Sequence, residues 1–295
     1  MPAPAQGVDN ELDQVTAWFL AKGDLEEAFG SSIRDAFDEL IDTARTRRIS
    51  FEECDQLEQR YMGFKLEHVI RGRFELESGK RMDYSVDGID VDCKWSKNFG
   101  LWSIPQEAVG HICLVVWADD NTSEFAVGLI RIRNEILVGG NQDKKRNIQS
   151  PEGRDEIRWL IPATNSLPEN FLLHLSEADR NAIMGHRGGN DRLLELFIRC
   201  EGRIIQRHTI ASVGAQIDAA KRARDQRERL AHLSLELFNG HWKADKLRAK
   251  KLGGPVPEND KEWVCLRSDG STAGRLLQKL ERQDELALEI CQPGT

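Results

Sequence analysis

The stretch Asp83-Tyr84-Ser85-Val86-Asp87-Gly88-Ile89-Asp90-Val91-Asp92-Cys93-Lys94 decides how this chain is read. Asp87-Gly88 is a strong signal for a two-residue hairpin turn, because both central positions of a type I′ turn need positive φ. With 87 and 88 as the turn, Val86 faces Ile89, Ser85 faces Asp90, Tyr84 faces Val91 and Asp83 faces Asp92. Side chains alternate with period two, so Asp90, Asp92 and Lys94 share one face and Val91, Cys93 and Trp95 the other. Two carboxylates directly opposite each other repel and weaken a bare hairpin. A divalent cation between them turns that repulsion into binding, with Lys94 one pleat along. This is the layout expected for metal-assisted phosphodiester cleavage.

The spacing Asp-x8-Asp-x-Lys is weak as a bare string, since a chain rich in Asp and Lys produces it by accident. Its context strengthens it: a hairpin, a register that sets two acids face to face, and an apolar strand soon after. Asp83 and Asp92 offer hard oxygen ligands suited to Mg²⁺, helped by the main-chain carbonyl of Cys93. Lys94 can orient or deprotonate the attacking water and offset charge in the transition state. The plain structural alternative makes Lys94 a counter-ion of Asp92 on a solvated strand. Glu67, on the preceding helix, is either a third acidic group at the metal or an i,i+4 partner of Arg71. Asp90 has Ser85 opposite it, which favours solvation or a supporting role.

Working outward, residues 9–77 read as helical. Val15, Trp18 and Phe19, then Ile33, Phe37, Leu40 and Ile41, recur at helical spacing. Ser50 with Glu53 resembles a capping box opening a long helix through Leu57, Tyr61, Phe64 and Val69. The apolar run His111–Ala118 predicts a central strand buried on both faces, and Phe125–Ile132 a further strand. Ile157–Ile161 reads as an edge strand closed by Pro162. The first part is therefore an α/β or α+β domain, a mixed sheet behind an N-terminal helical layer. Asn165–Pro168 reads as a linker, giving expected domains of residues 1–165 and 166–295. Beyond it no strand pattern is evident until about Trp263. Helices are expected at Asp191–Arg199, Gln206–Ser212 and Ala215–Arg224, the Gly214 break reading as the turn of a helix-turn-helix. A helix near Thr272–Leu280 and an apolar stretch at Leu286–Ile290 complete the tail.

At 295 residues, 40% hydrophobic and 31% charged, the chain has the composition of a globular protein able to bury a core. Its longest apolar run is too short to span a bilayer, and Met1–Gln6 lacks the features of a signal peptide. Six scattered cysteines without a CxxC pair argue against a zinc site and a disulfide framework. A reducing cytoplasm is the expected compartment, with no membrane partner. The net charge of −8 is uneven. Residues 1–60 hold fourteen acidic and six basic side chains, whereas residues 185–252 hold fifteen basic and eight acidic, a local balance of +7. A basic patch acts locally, within a Debye length, so the second segment can bind nucleic acid despite the total. Arg203, Arg207, Lys221, Arg222 and Arg224 flank the helix-turn-helix pattern and are candidate phosphate contacts. In the loop Trp95–Trp102, Lys97 is a candidate for a phosphate and Asn98 for a phosphate or base edge. The plain alternatives are a solvated helix face and aromatic core packing.

The segment from Leu57 to about Ile132 resembles the catalytic domain of the NaeI-type restriction endonucleases. The residues carrying the resemblance are Gln59-Arg60-Tyr61-Met62, Leu66-Glu67, Met82-Asp83-Tyr84, Val91-Asp92-Cys93-Lys94, Trp102-Ser103-Ile104-Pro105 and Glu107–Leu114. The similarity continues through Asn181–Met184 and Glu195-Leu196-Phe197 to Gly202-Arg203-Ile204, and weakens past about Arg224. It implies a PD-(D/E)xK nuclease fold followed by a helix-turn-helix, winged-helix-like domain that binds a separate DNA site and activates cleavage. It also implies Mg²⁺-dependent cutting of double-stranded DNA by a homodimer, with Glu67, Asp83, Asp92 and Lys94 as the catalytic set. A cognate DNA methyltransferase is the expected companion of such an enzyme. Two other readings are a DNA-binding regulator with a dead nuclease domain and a structure-specific repair nuclease. The complete Asp83/Asp92/Lys94 set argues against the first, and the added helix-turn-helix against the second.

Overall fold

The computed structural model describes residues 9–140, 145–148, 151–215 and 218–272. It divides into two compact units, one of residues 1–41 and 48–170, the other of residues 42–47 and 171–295. The chain is a mixed α+β protein.

The first unit begins with α1 (Asn10–Leu20), capped by the Asp9 carboxylate on the Leu12 amide, and α2 (Leu25–Ile41). The chain then leaves for the other unit, where α3 (Thr43–Thr46) is flanked by left-handed Asp42 and Arg47. On its return, the Ser50/Glu53 capping box is present, but it opens only a single 3₁₀ turn at Phe51–Glu53. The long helix, α4 (Gln56–Phe74), is opened by a second box, in which Asp55 caps the Leu57 and Glu58 amides and Glu58 reaches back to the Asp55 amide. Two successive boxes of the same chemistry stand five residues apart, and the backbone uses each to start a separate helical segment. α4 buries Met62, Leu66, Ile70 and Phe74, one residue per turn, against the sheet. Each such side chain contributes about 1.5–3 kcal/mol.

The strands are β1 (Glu77–Ser78), β2 (Tyr84–Val86), β3 (Ile89–Ser96), β4 (Ser103–Ile104), β5 (Ile112–Asp119), β6 (Glu124–Arg131), β7 (Leu137–Val138), β8 (Arg146–Ile148) and β9 (Arg158–Thr164), with a short α5 (Glu152–Asp155) before the last. Six form one sheet in the order β1-β2-β3-β5-β6-β9. Only β3 and β5 run parallel, so the sheet is mixed. β5 is apolar from Ile112 to Ala118 because both of its faces are covered. Ile112, Leu114, Val116 and Ala118 join the core under the helices, while Cys113, Val115 and Trp117 join a second core with Trp102, Ile104 and Ile148. That second core lies partly under a small sheet of order β4-β8-β7. The edge strand β9 runs past Pro162 to Thr164, and a register shift in its pairing with β6 accommodates the proline.

The second unit continues with α6 (Glu177–Gly185), α7 (Gly189–Arg199), β10 (Ile204–Gln206), α8 (Arg207–Gly214), α9 (Ala219–Asp225), α10 (Arg227–Ala231), β11 (Leu235–Asn239), α11 (Lys243–Lys251) and β12 (Glu262–Arg267). Two of its strands contradict the expectation that none precedes Trp263. β10 and β11 pair antiparallel with β12 in the order β10-β12-β11. They are three and five residues long, too short to show a period. The turn between α8 and α9 is also displaced. α8 runs through Gly214, where an added Cβ would stand 3.3 Å from Leu193, so the glycine serves close packing on α7. The helix ends at Ala215, which is left-handed (φ 53°), and α9 starts only after Asp218, whose carboxylate caps the Lys221 amide. α3 packs against α8 within this unit, and Arg47 donates to the Met184 carbonyl. The expected elements beyond Thr272 lie outside the described residues. Among the described residues no helix is long and apolar enough to cross a membrane, and the five described cysteines are free thiols.

Candidate active site

The hairpin forms as its sequence requires. Asp87 and Gly88 both have positive φ (51° and 80°), and the ladder pairs Val86 with Ile89, Ser85 with Asp90 and Tyr84 with Val91. It stops there: the expected Asp83–Asp92 strand pair is absent. The Asp83 carboxylate instead accepts from the Cys93 amide at 2.7 Å, so a side chain takes the place of the next ladder acceptor. A tight turn before β2 makes this possible. At Gly79 an added Cβ would lie 2.4 Å from the Met82 carbonyl oxygen and 2.6 Å from that of Tyr84, so only glycine fits. The Asp90 carboxylate accepts from the Lys80 and Arg81 amides, holding the same turn against β3. Asp90 is thus a support of the turn.

Asp83, Asp92 and Lys94 meet. The Lys94 ammonium lies 2.6 Å from Asp92 Oδ2 and 3.9 Å from Asp83 Oδ2, and donates to the Cys93 carbonyl at 3.0 Å. Beneath them, the parallel pairing of β3 with β5 sets Asp92 beside Cys113, whose thiol lies 3.4 Å from Asp92 Oδ2. Burial raises the Cys113 pKa well above its ordinary value, as does the Asp92 charge, so the thiol stays protonated and donates. Asp92 is 5% exposed. Burial pushes its carboxyl up to about 6, Lys94 draws it back, and the charge and hydrogen bond of Asp83 push it up again. For Lys94, burial lowers the pKa, but Asp92 and Asp83 outweigh it and the ammonium is held above its usual range.

Glu67 arrives from α4. Its carboxylate accepts from Arg71 at 2.9 Å, the i,i+4 pair legible in the sequence, and the same Arg71 amine donates to the Asp83 carbonyl at 2.8 Å. The buried Tyr84 hydroxyl donates to the Glu67 carbonyl at 3.0 Å, fastening helix to hairpin. Burial and then the nearby Asp83 charge raise the Glu67 pKa, against Arg71, His68 and Lys94. The Arg71 bond to the Asp83 carbonyl and the Cys113 thiol have no signal in the sequence, because both reach the site through contacts distant in the chain.

Lys97 and Asn98 stand exposed just past the end of β3. Ser96 and Asn98 close a tight turn, and the Lys97 carbonyl accepts from the Trp117 indole at 3.2 Å. Trp102 is core, its indole on the Val116 carbonyl, and half-buried Trp95 packs edge-on to Phe37 and Phe51. In the second unit the Arg203 guanidinium covers the Phe171 ring at 4.2 Å. Arg207, Lys221 and Arg224 are exposed and Arg222 half-exposed, none in an ion pair with a described residue.

Among the described residues no group of three or more His, Cys, Asp or Glu side chains stands at metal-ligating distances. Two acids do stand together. Asp83 and Asp92 both stand within 4 Å of the Lys94 ammonium, and the Asp83 charge raises the Asp92 pKa. Two carboxylates drawn to one positive charge are oxygen donors of the kind that suits Mg²⁺.

Comparison with known proteins places the chain in a family. The chain is 35% identical over 257 residues to the type II restriction enzyme NaeI of Lentzea aerocolonigenes, covering 84% of this chain and 81% of that protein. Residues 13–278, which include Glu67, Asp83, Asp92 and Lys94, match the family described as restriction endonuclease NaeI, and the chain belongs to that family.

Proposed function

We propose that this chain is a site-specific endodeoxyribonuclease that hydrolyses phosphodiester bonds in duplex DNA with Mg²⁺, using Glu67, Asp83, Asp92 and Lys94. The observation that carries the reading is the Lys94 ammonium standing 2.6 Å from Asp92 and 3.9 Å from Asp83. Asp83, Asp92 and the Cys93 carbonyl would hold the metal, and Glu67 adds a further acidic group beside Asp83. When bound, Mg²⁺ supplies a Lewis acid for the phosphoryl oxygen and lowers the pKa of bound water. Lys94 orients the attacking water for in-line approach and offsets the negative charge that builds on phosphorus. Arg71 fixes both Glu67 and the main chain of Asp83, so the acidic groups keep their spacing as charge changes.

The mixed sheet with its paired acids and following Lys supports a PD-(D/E)xK assignment for the first unit. In the second, the succession α7-β10-α8-α9-α10-β11-α11-β12 with strand order β10-β12-β11 supports a winged helix-turn-helix. Lys221, Arg222 and Arg224 on α9 would contact phosphates there, as would Arg203 and Arg207. The reading includes a homodimer, which sets two active sites on the two strands of a palindrome. It also includes activation through a second DNA site, a cytoplasmic location and a companion methyltransferase.

The deciding experiment is plasmid cleavage in Mg²⁺ by wild type, Asp92→Ala and Lys94→Met. Wild type is expected to cut at discrete positions. Asp92→Ala should be inactive, and Lys94→Met slowed by about 10²–10⁴-fold. Equal cutting by all three removes the assignment, and binding without cutting by wild type favours the dead-nuclease regulator.

A further inference from the structure

Beyond the carboxyl pair, β3 ends in an open cleft of about 430 Å³ lined by Phe51, Gln56, Gln59, Arg60, Trp95, Ser96 and Lys97. Phe51 and Trp95, edge to face at 6.4 Å, are its aromatic members. The polar side is set by Gln59. Its amide nitrogen donates to the Cys54 carbonyl at 2.9 Å and reaches the Phe51 carbonyl at 3.4 Å. Its amide oxygen is thereby turned toward Lys97, 3.4 Å from the ammonium. An ammonium has three donors, so Lys97 keeps two after this contact. Arg60, one residue along α4, is exposed and makes no ion pair with a described residue. No acidic side chain lines the cleft. Two cations, one held in place by an amide, thus face a recess with no anion of its own.

We infer that the Arg60–Lys97 cleft seats a backbone phosphate of the DNA, near the one that is cut. The site rests on the nuclease reading for its substrate and adds a position to it. Lys97 follows Lys94 by three residues, the last just past the end of β3 in the turn, a reach of at most about 10 Å, or about three nucleotides of duplex rise. Arg60 lies two helical turns from Glu67 on α4, also on the order of 10 Å. One strand and one helix therefore carry both the acidic group and the cationic cleft. A phosphate in the cleft would fix the register of the duplex over the carboxyl pair. Phosphate contacts position a duplex without reading its sequence.

The test is binding of a short random-sequence duplex in EDTA, where no strand is cut, measured against salt for wild type, Lys97→Met, Arg60→Gln and Lys97→Arg. Lys97→Met and Arg60→Gln are each expected to flatten the slope of log affinity against log salt by about 0.9, one phosphate contact apiece. Lys97→Arg should keep the wild-type slope. Plasmid cleavage by the variants should keep the same cut positions at a lower rate. Unchanged slopes in both charge-removing variants place the cleft outside the DNA interface and overturn the proposal. So does a Lys97→Arg slope as flat as that of Lys97→Met, or unchanged slopes with altered cut positions, which would mark a base reader. Failure of the nuclease reading is separable, because it shows in the Asp92→Ala comparison and leaves these metal-free slopes untouched.

Discussion

Asp92 lies in a buried corner between an ammonium, a second carboxyl and a thiol, and its ionisation is costly because burial outweighs the lysine beside it. An acid whose pKa rises on folding is held protonated by the folded state, so folding takes up protons between the ordinary carboxylate range and the raised value. Stability from this position is present at low pH and is lost as pH climbs toward about 6. In metal-free buffer, denaturant unfolding of wild type should therefore weaken between about pH 4 and 6. Asp92→Asn should flatten that decline, leaving the smaller share from Glu67, whose pKa is also raised. A slope the same in both proteins would mean that Asp92 ionises as freely folded as unfolded. At this scale the sequence was legible where neighbours in the chain meet. The Glu67–Arg71 pair and the Asp92–Lys94 alternation needed only helix and strand periods. The Arg71 bond to the Asp83 carbonyl and the Cys113 thiol under Asp92 needed a helix packed on a hairpin and a parallel register, neither of which is a local property.

At the scale of elements, the hairpin followed from two residues, since Asp-Gly at the turn fixes both the bend and the first three pairs. The pairing failed at Asp83 because a carboxylate can replace a backbone acceptor, a choice that strand alternation does not encode. The capping signal at Ser50 was read correctly as chemistry and misplaced as architecture, because Asp55 and Glu58 repeat it one turn later. β10 and β11 were missed since strands of three and five residues carry no period. A buried cluster was also invisible. Arg34 of α2 pairs with Asp38 and with Asp120 after β5, and Asn170 bridges Asp120 to the Ile49 carbonyl at 2.8 Å to each. With Arg34 and Asp120 nearly inaccessible, removing one partner strands a charge. Arg34→Met is expected to cost about 3–5 kcal/mol in denaturant unfolding. Arg34→Met with Asp120→Leu should cost less than Arg34→Met alone. A larger loss in the double variant would show that Asp120 matters chiefly through Asn170.

For the whole molecule the charge is divided, acidic in the first sixty residues and basic across residues 185–252. DNA affinity should thus depend steeply on salt despite a net charge of −8. Replacing Lys221, Arg222 and Arg224 together by Ala is expected to reduce the salt slope by up to about 2.7, three phosphate contacts, with the folded state intact because these side chains are largely exposed. An unchanged slope would place these three side chains outside the DNA interface. The change of composition and the run Asn165–Pro168 suggest a division after residue 165, and the compact units divide after Asn170. The excursion of residues 42–47 was not, since six residues carry no compositional signature. Those six residues make the halves of this chain interleaved in sequence. Any exchange of the C-terminal half between relatives by a single crossover near residue 170 would bring in a recipient's own α3 to pack on a foreign α8. Such chimaeras should inherit their compatibility from Thr43–Thr46 as much as from the junction, and recombination in this lineage would be expected to carry the two pieces together.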